Sequence, residues 1–305
     1  MTKTLLVIGG ATATGKTALS IRLAQHFNTE VLSADSRQFY REMSIGTAKP
    51  SPAELAAVPH HFIDSLSVAD NFSVGDFERE ALLVLEKIFS EKNVAVLSGG
   101  SGLYLRAVCE GLDSFPEISA ETKKRVEAGE QKGELGWLQR ELALLDPTYF
   151  SVVDQQNPAR LRRALEVCLE TGQPYSLFLQ REKKVRPFQP VYILLDVPRP
   201  ELYTRIEARV DAMIAAGLEE EARTLLPWRD RPALRTVGYE EWFDFFDGKI
   251  SRAEAIDKIK QHTRNYAKRQ ATCFRKHGEW TAFRADDWAG ILRFLEKNKL
   301  VPANL

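Results

Sequence analysis

Four short apolar runs punctuate the chain, at residues 4–8, 30–34, 94–98 and 190–197, and each has the length of a strand buried on both faces. Amphipathic patterns separate the first three. Over 75–92, Phe77, Ala81, Leu82, Leu85, Ile88 and Phe89 recur at helical spacing, while Glu78, Arg79, Glu80, Glu86 and Lys87 occupy the other positions. Strands alternating with helices predict a parallel sheet covered on both faces, because each parallel crossover must pass over the sheet. Between 114 and 187 the strand signal stops. The pattern there is helical and rich in charge, around Lys123, Lys124 and Arg125, then over 138–145 and 160–169. A strand pattern returns at 191–197, and from 198 the chain reads as helical to the end. The expectation is an α/β core made of 1–113 and 188–305, interrupted by a helical insertion at 114–187.

Composition narrows the partners. The 305 residues are 44% hydrophobic and carry a formal net charge of zero, so positive charge for any polyanion must be local. Cys109, Cys168 and Cys273 lie far apart and make no metal-ligand spacing, which predicts free thiols in a reducing compartment. No run approaches transmembrane length and no signal-peptide pattern is read. A cytoplasmic monomer without membrane contact is expected.

The chemistry starts at the end of the first run. Residues 10–17 read Gly10-Ala11-Thr12-Ala13-Thr14-Gly15-Lys16-Thr17, a complete P-loop between the strand Leu5–Ile8 and a helical pattern from Ala18 to Phe27. Backbone N–H groups in such a turn point at an anion. Lys16 is placed to reach the terminal phosphate, and the Thr17 hydroxyl to hold Mg²⁺. A P-loop at the carboxyl end of the first strand makes the fold P-loop NTPase-like.

Other segments allow more than one reading. The second strand ends in Asp35-Ser36-Arg37-Gln38. A carboxylate at that strand tip can ligate Mg²⁺, act as a general base, or simply cap a helix. Gly99-Gly100-Ser101-Gly102 lets backbone approach a ligand closely, with Ser101 as a donor, and it is also a common turn. His60 and His61 are adjacent, point to opposite sides of a strand, and read as satisfied structural histidines. From 258 to 276 seven basic residues occur without an acid, and Lys260, Arg264 and Lys268 fall on one stripe. A solvated face normally mixes signs, so contact with a phosphate backbone is the favoured reading. Arg160, Arg162 and Arg163 form a second cluster, and Arg181, Lys183, Lys184 and Arg186 read as surface. Arg205 and Arg209 either clamp a diphosphate or pair with Glu201 and Asp211.

Taken in order, the P-loop, Ala34-Asp35-Ser36-Arg37-Gln38, Gly46-Thr47-Ala48-Lys49-Pro50, His60-His61 with Asp64, Gly99–Tyr104, Arg163–Val167 with Thr171-Gly172, Val237-Gly238-Tyr239 and Tyr266-Ala267-Lys268-Arg269-Gln270 resemble the bacterial tRNA dimethylallyltransferases over nearly the whole chain. The resemblance implies transfer of a five-carbon allyl group from dimethylallyl diphosphate to the exocyclic amine of the adenine 3′ of the anticodon. It implies a P-loop used for diphosphate instead of ATP; Mg²⁺ on Thr17 stays the cofactor expected from the P-loop itself, and Arg205 and Arg209 stay candidates for the diphosphate's far side. Asp35 is then the base and Ser101, standing where the family usually has Thr, the second catalytic residue. Asp35, Ser36, Arg37, Gln38, Ser101 and Lys123 would contact tRNA. So would Ala159, Arg160, Leu161, Arg162 and Arg163, together with Arg235, Gly238, Tyr239, Arg264, Lys268 and Arg269. Three rivals share features with this reading. A small-molecule P-loop kinase would need no basic helix. An isopentenyltransferase on free adenine nucleotides would have nearly the same core. An RNA-binding regulator would not need Asp35.

Overall fold

The computed structural model describes residues 2–179, 183–276 and 278–301. In chain order the elements are β1 (Thr4–Gly10), α1 (Lys16–His26), β2 (Val31–Ser33), α2 (Pro52–Ala57), β3 (His60–His61), α3 (Val74–Glu91), β4 (Val94–Gly99) and α4 (Gly102–Glu110). Next come α5 (Ala120–Leu145), α6 (Pro147–Phe150) and α7 (Pro158–Thr171). The chain continues through β5 (Gln189–Leu195), α8 (Arg199–Ala215), α9 (Leu218–Thr224), α10 (Glu240–Phe246), α11 (Arg252–Lys276), β6 (Thr281–Phe283) and α12 (Trp288–Lys297). Two compact units result, Met1–Cys109 with Val185–Leu305, and Glu110–Lys184.

The larger unit is built on one parallel sheet of order β3-β2-β4-β1-β5-β6. Every residue of β1 is buried, as its unbroken apolar run requires of a central parallel strand. Successive side chains point to opposite faces. Leu5 and Val7 join Phe77, Ala81 and Leu85 of α3 on one side. Leu6 and Ile8 join Leu19 and Leu23 of α1 and Ile291 and Leu295 of α12 on the other. Helix α3 starts with a capping box, Ser73 and Asp76 each bonding the other's backbone N–H.

Two strands went unread in the sequence. β3 has two residues and β6 three, too few for a period of two to register, so the expectation of helix from 198 to the end is corrected by Thr281–Phe283. β6 exists because the edge of β5 offers it a ladder, Ile193 opposite Thr281 through Leu195 opposite Phe283. Arg186 corrects a surface assignment. Its guanidinium is nearly buried, donating to Glu78 Oε1 at 2.6 Å and to the Ala107 carbonyl at 2.8 Å. Arg181 lies outside the described residues.

The unit Glu110–Lys184 closes around Val126, Leu138, Leu142, Leu161 and Leu165 from α5 and α7. Helix α5 breaks at Glu134 (φ 51°, ψ −152°), where Gly133 precedes it and Gly136 follows within two residues. That break separates the two helical stretches visible in the sequence. Asn157 caps α7 by accepting from Arg160 N–H, Pro158 starts it, and Gly172 ends it with φ 67°. Among the described residues no helix is long and apolar enough to cross a membrane.

Candidate active site

The P-loop turns at the carboxyl end of β1 because two glycines permit it. Gly15 has φ +96°, left-handed backbone immediately before α1, and a Cβ on Gly10 would lie 2.8 Å from Thr14 Oγ1 and 2.9 Å from the Leu195 carbonyl. Thr14 is a brace inside the loop, its hydroxyl donating to Ala11 O at 2.8 Å. Lys16 Nζ arches back over the loop, donating to Gly10 O at 3.0 Å and Ala11 O at 2.7 Å. Burial lowers its pKa from 10.5 to about 8, with Asp35 pulling it up and Arg209 pushing it down.

Thr12, Ala13, Gly15, Lys16 and Thr17 line a cavity of about 410 Å³. Gly10, Ala11 and Thr14 stand behind that wall and shape it. Asp35 and Arg209 line the same cavity. Asp35 Oδ1 accepts from Arg37 N–H at 3.1 Å, the capping geometry anticipated for a strand-tip aspartate. That bond occupies one oxygen of the carboxylate and leaves capacity to act on a ligand. Burial lowers the Arg209 pKa, against the pull of Asp35 and Glu54, and Arg209 Nη1 lies 3.4 Å from Thr12 Oγ1. Arg205, one turn earlier on α8, is not on the cavity wall. Glu201 holds it at 2.6 Å in an i,i+4 pair.

A loop at 44–50 forms another wall. Glu221 of α9 holds it, Oε2 accepting from Ser44 and Ile45 N–H (2.9 and 2.8 Å) and Oε1 from Gly46 N–H (2.9 Å) and the Tyr239 hydroxyl (2.7 Å). Gln38 holds it from inside, Nε2 donating to Thr47 O and Ala48 O at 3.1 and 3.2 Å, while its Oε1 accepts from Ser33. The Gln38 amide is thus engaged at both ends with the protein and lines the cavity, with one acceptor position of Oε1 unused by the described residues. Nothing in the sequence marked Glu221, which sits in a run of three glutamates that reads as a solvated helix face.

From α11 come Tyr266 and Gln270. Burial, then Asp35, raises the Tyr266 hydroxyl to about 12. Ser101 itself is one step back from the cavity. Val210, Met213, Leu218, Val237 and Ile259 make an apolar stretch of the wall. His60 and His61 are structural. His60 Nδ1 meets Val58 O at 2.8 Å, and His61 Nε2 meets Glu30 at 2.7 Å.

The residues expected at RNA divide. Ser36 and Arg37 stand on the loop after β2, and Arg37 Nη1 donates to Pro232 O at 3.1 Å. Arg235 is exposed, and Gly238 is on the cavity wall with its N–H held by Glu241 at 2.8 Å. Tyr239 is corrected as a surface contact. It is fully buried, its ring lies under Gly46, and burial followed by Glu221 raises its pKa. Leu161 is likewise fully buried, in the core of the helical unit. In that unit Lys123, Ala159 and Arg160 are exposed, Arg162 is engaged bidentately by Glu130 at 2.7 Å, and Arg163 lies over the Phe115 ring. The basic stripe of α11 is partly neutralised by acids from α8, Asp211 for Lys260 (2.6 Å) and Glu207 for Arg264 (2.7 Å). The acids missing from 258–276 are supplied across the helix pair. Lys268 and Arg269 remain exposed, without a carboxylate partner among the described residues.

The Thr17 hydroxyl and the Asp35 carboxylate border both the main cavity and a recess of about 50 Å³ beside it. Among the described residues the Thr17 hydroxyl has no protein partner. The Thr17 hydroxyl is a hard oxygen donor, of the kind with which a phosphate site meets Mg²⁺ when water and phosphate oxygens complete the shell, and the nearby Asp35 carboxylate favours a cation there without having to ligate it. The residues present therefore fit that ion.

Comparison with known proteins matches the family model "IPP transferase" over residues 38–277. The chain is 51% identical to the tRNA dimethylallyltransferase of Christiangramia forsetii, covering 94% of this chain and 95% of that one. It is 45% identical to the tRNA dimethylallyltransferase of Cytophaga hutchinsonii, covering 96% and 97%. The crystal structure of the full-length tRNA isopentenylpyrophosphate transferase of Bacillus halodurans superimposes with a TM-score of 0.71 at 35% identity, covering 97% and 95%. A eukaryotic dimethylallyltransferase acting on tRNA shares the fold, with a TM-score of 0.81 at 23% identity and coverage of 99% and 81%.

Proposed function

The chain belongs to the IPP transferase family, and we propose that it moves a dimethylallyl group from dimethylallyl diphosphate to the exocyclic amine of the adenine 3′ of the anticodon in tRNA. It is a prenyltransferase, and tRNA is its acceptor. The observation that carries the residue-level reading is the meeting of Asp35 with Lys16, Thr17 and Arg209 in one cavity. That wall offers cations to a leaving diphosphate and a carboxylate to an amine proton.

In this reading the amine nitrogen bonds the allylic carbon while the bond from that carbon to the diphosphate oxygen breaks. Negative charge grows on the diphosphate, where Lys16, Arg209 and the N–H groups opening α1 stabilise it. The proton leaves the nitrogen for Asp35. Mg²⁺, held by Thr17, would supply further positive charge at the diphosphate. The apolar wall of Val210, Met213 and Ile259 suits the five-carbon chain. The purine must leave its stack to enter, at a cost of roughly a few kcal/mol that is least in a loop. Lys268 and Arg269, with Lys123 and Arg160 of the helical unit 110–184, would meet phosphates.

The test offers the purified protein labelled dimethylallyl diphosphate with tRNA or with AMP. Label in tRNA is the expected result. Label in AMP alone would replace this reading with transfer to free nucleotides, and consumption of ATP without label transfer would favour a kinase. The RNA face has its own test. Lys268→Ala weakens tRNA binding and lowers the slope of log affinity against log salt by about one, with donor affinity unchanged. Arg264→Ala, already paired with Glu207, changes the slope less. Equal slopes in Lys268→Ala and the parent protein would remove α11 from the RNA interface.

A further inference from the structure

One buried side chain on the cavity wall takes no part in the transfer. Gln270 of α11 is only 6% exposed. Its Oε1 accepts from the Thr12 N–H of the P-loop at 2.9 Å, and its Nε2 donates to the Gly100 carbonyl at 3.0 Å. These bonds join segments 258 and 170 residues away in sequence. A Cβ on Gly100 would lie 2.3 Å from Nε2, so the turn after β4 can seat this amide only with glycine there. Thr12 is also the residue whose hydroxyl meets Arg209 at 3.4 Å. Gly100 immediately precedes Ser101, and Tyr266, which lines the same cavity, stands one helical turn before Gln270 on the same face of α11.

We propose that Gln270 is a positioning residue, holding the P-loop at a set spacing from the turn that carries Ser101. The inference rests on the reading of the cavity given above. The amide suits the task because it accepts at one end and donates at the other. A carboxylate keeps the acceptor for Thr12 and loses the donor for Gly100, and it adds negative charge beside the diphosphate. The same helix carries Lys268 and Arg269, so the spacing of the diphosphate cradle is set from the element that we propose meets tRNA.

The experiment compares the parent protein with Gln270→Ala and Gln270→Glu, reading donor KM and kcat at saturating tRNA, tRNA affinity by filter binding, and inorganic diphosphate affinity by calorimetry. In Gln270→Ala we expect donor KM and the diphosphate dissociation constant each to rise about tenfold, with tRNA affinity within about twofold of the parent. Gln270→Glu, nearly isosteric, should bind diphosphate more weakly still, and it provides the measurement should the alanine variant fold poorly. Unchanged diphosphate affinity in both variants would overturn the proposal while transfer by the parent protein left the reading of the cavity standing. Loss of tRNA affinity with donor KM intact would also overturn it, making Gln270 a support of the RNA face.

Discussion

Asp35→Asn lowers the rate of prenyl transfer by roughly 10²–10⁴-fold, the range a positioned general base contributes, while the protein folds and binds tRNA. The fold survives because the bond from Arg37 N–H to Asp35 Oδ1 at 3.1 Å needs only an acceptor, which Asn retains. The proton of the reacting amine loses its destination. A second effect must be separated from the first. Asp35 raises the Lys16 pKa, so its removal lowers that value further from about 8 and discharges part of the lysine near neutral pH. Single-turnover transfer should therefore be measured about two units below 8, where Lys16 stays protonated in both proteins. A deficit persisting there belongs to the base. Transfer within a few-fold of the parent under those conditions would end the assignment of Asp35.

The second large effect falls on the donor. Lys16→Ala should reduce transfer by roughly 10²–10³-fold, as expected when one donor to a developing oxyanion is removed. Its ammonium already sits at the loop mouth, bonded to the Gly10 and Ala11 carbonyls, so little reorganisation is needed to meet a diphosphate. The depressed pKa adds a pH signature. Binding an anion favours the charged lysine and raises its pKa in the complex. Donor affinity is then level below pH 8 and falls above it, about tenfold per unit, with proton uptake on binding. Without donor the sign for folding is opposite. The unfolded chain holds the extra proton between about 8 and 10.5, so the lysine's contribution to stability improves as pH rises through that window. Calorimetric titration of dimethylallyl diphosphate at several pH values, in buffers of different ionisation heat, reads both effects. A flat affinity from pH 7 to 9.5 would show that Lys16 does not meet the diphosphate.

The site was legible in proportion to how local its parts are. Residues 10–17 declare themselves because loop, lysine and hydroxyl must be contiguous to wrap a phosphate, and β1 declares itself because a central parallel strand is apolar throughout. Arg205 and Arg209 look alike in sequence, four residues apart on one helix. Glu201 on the preceding turn captures the first, and the second reaches Thr12. The stripe on α11 looked unbalanced because its neutralising acids, Glu207 and Asp211, belong to α8. Tyr239 stood in a family motif and proved to be a buried support for Gly46.

Hydrophobic period and contiguous motif by themselves determined the alternation of strand and helix, the phosphate loop, and the carboxylate at the tip of β2. These depend on neighbours within one turn or one strand, where chain connectivity sets the geometry. Only the tertiary structure decided which cations face the cavity, that Glu221 and Gln38 hold the wall at 44–50, and that Gln270 ties the P-loop to the turn at Gly100. Those outcomes depend on side chains brought together from more than a hundred residues apart in the case of Glu221 and Gln270. A hydrogen bond acts over about 3 Å of space and carries no mark of its partner along the chain.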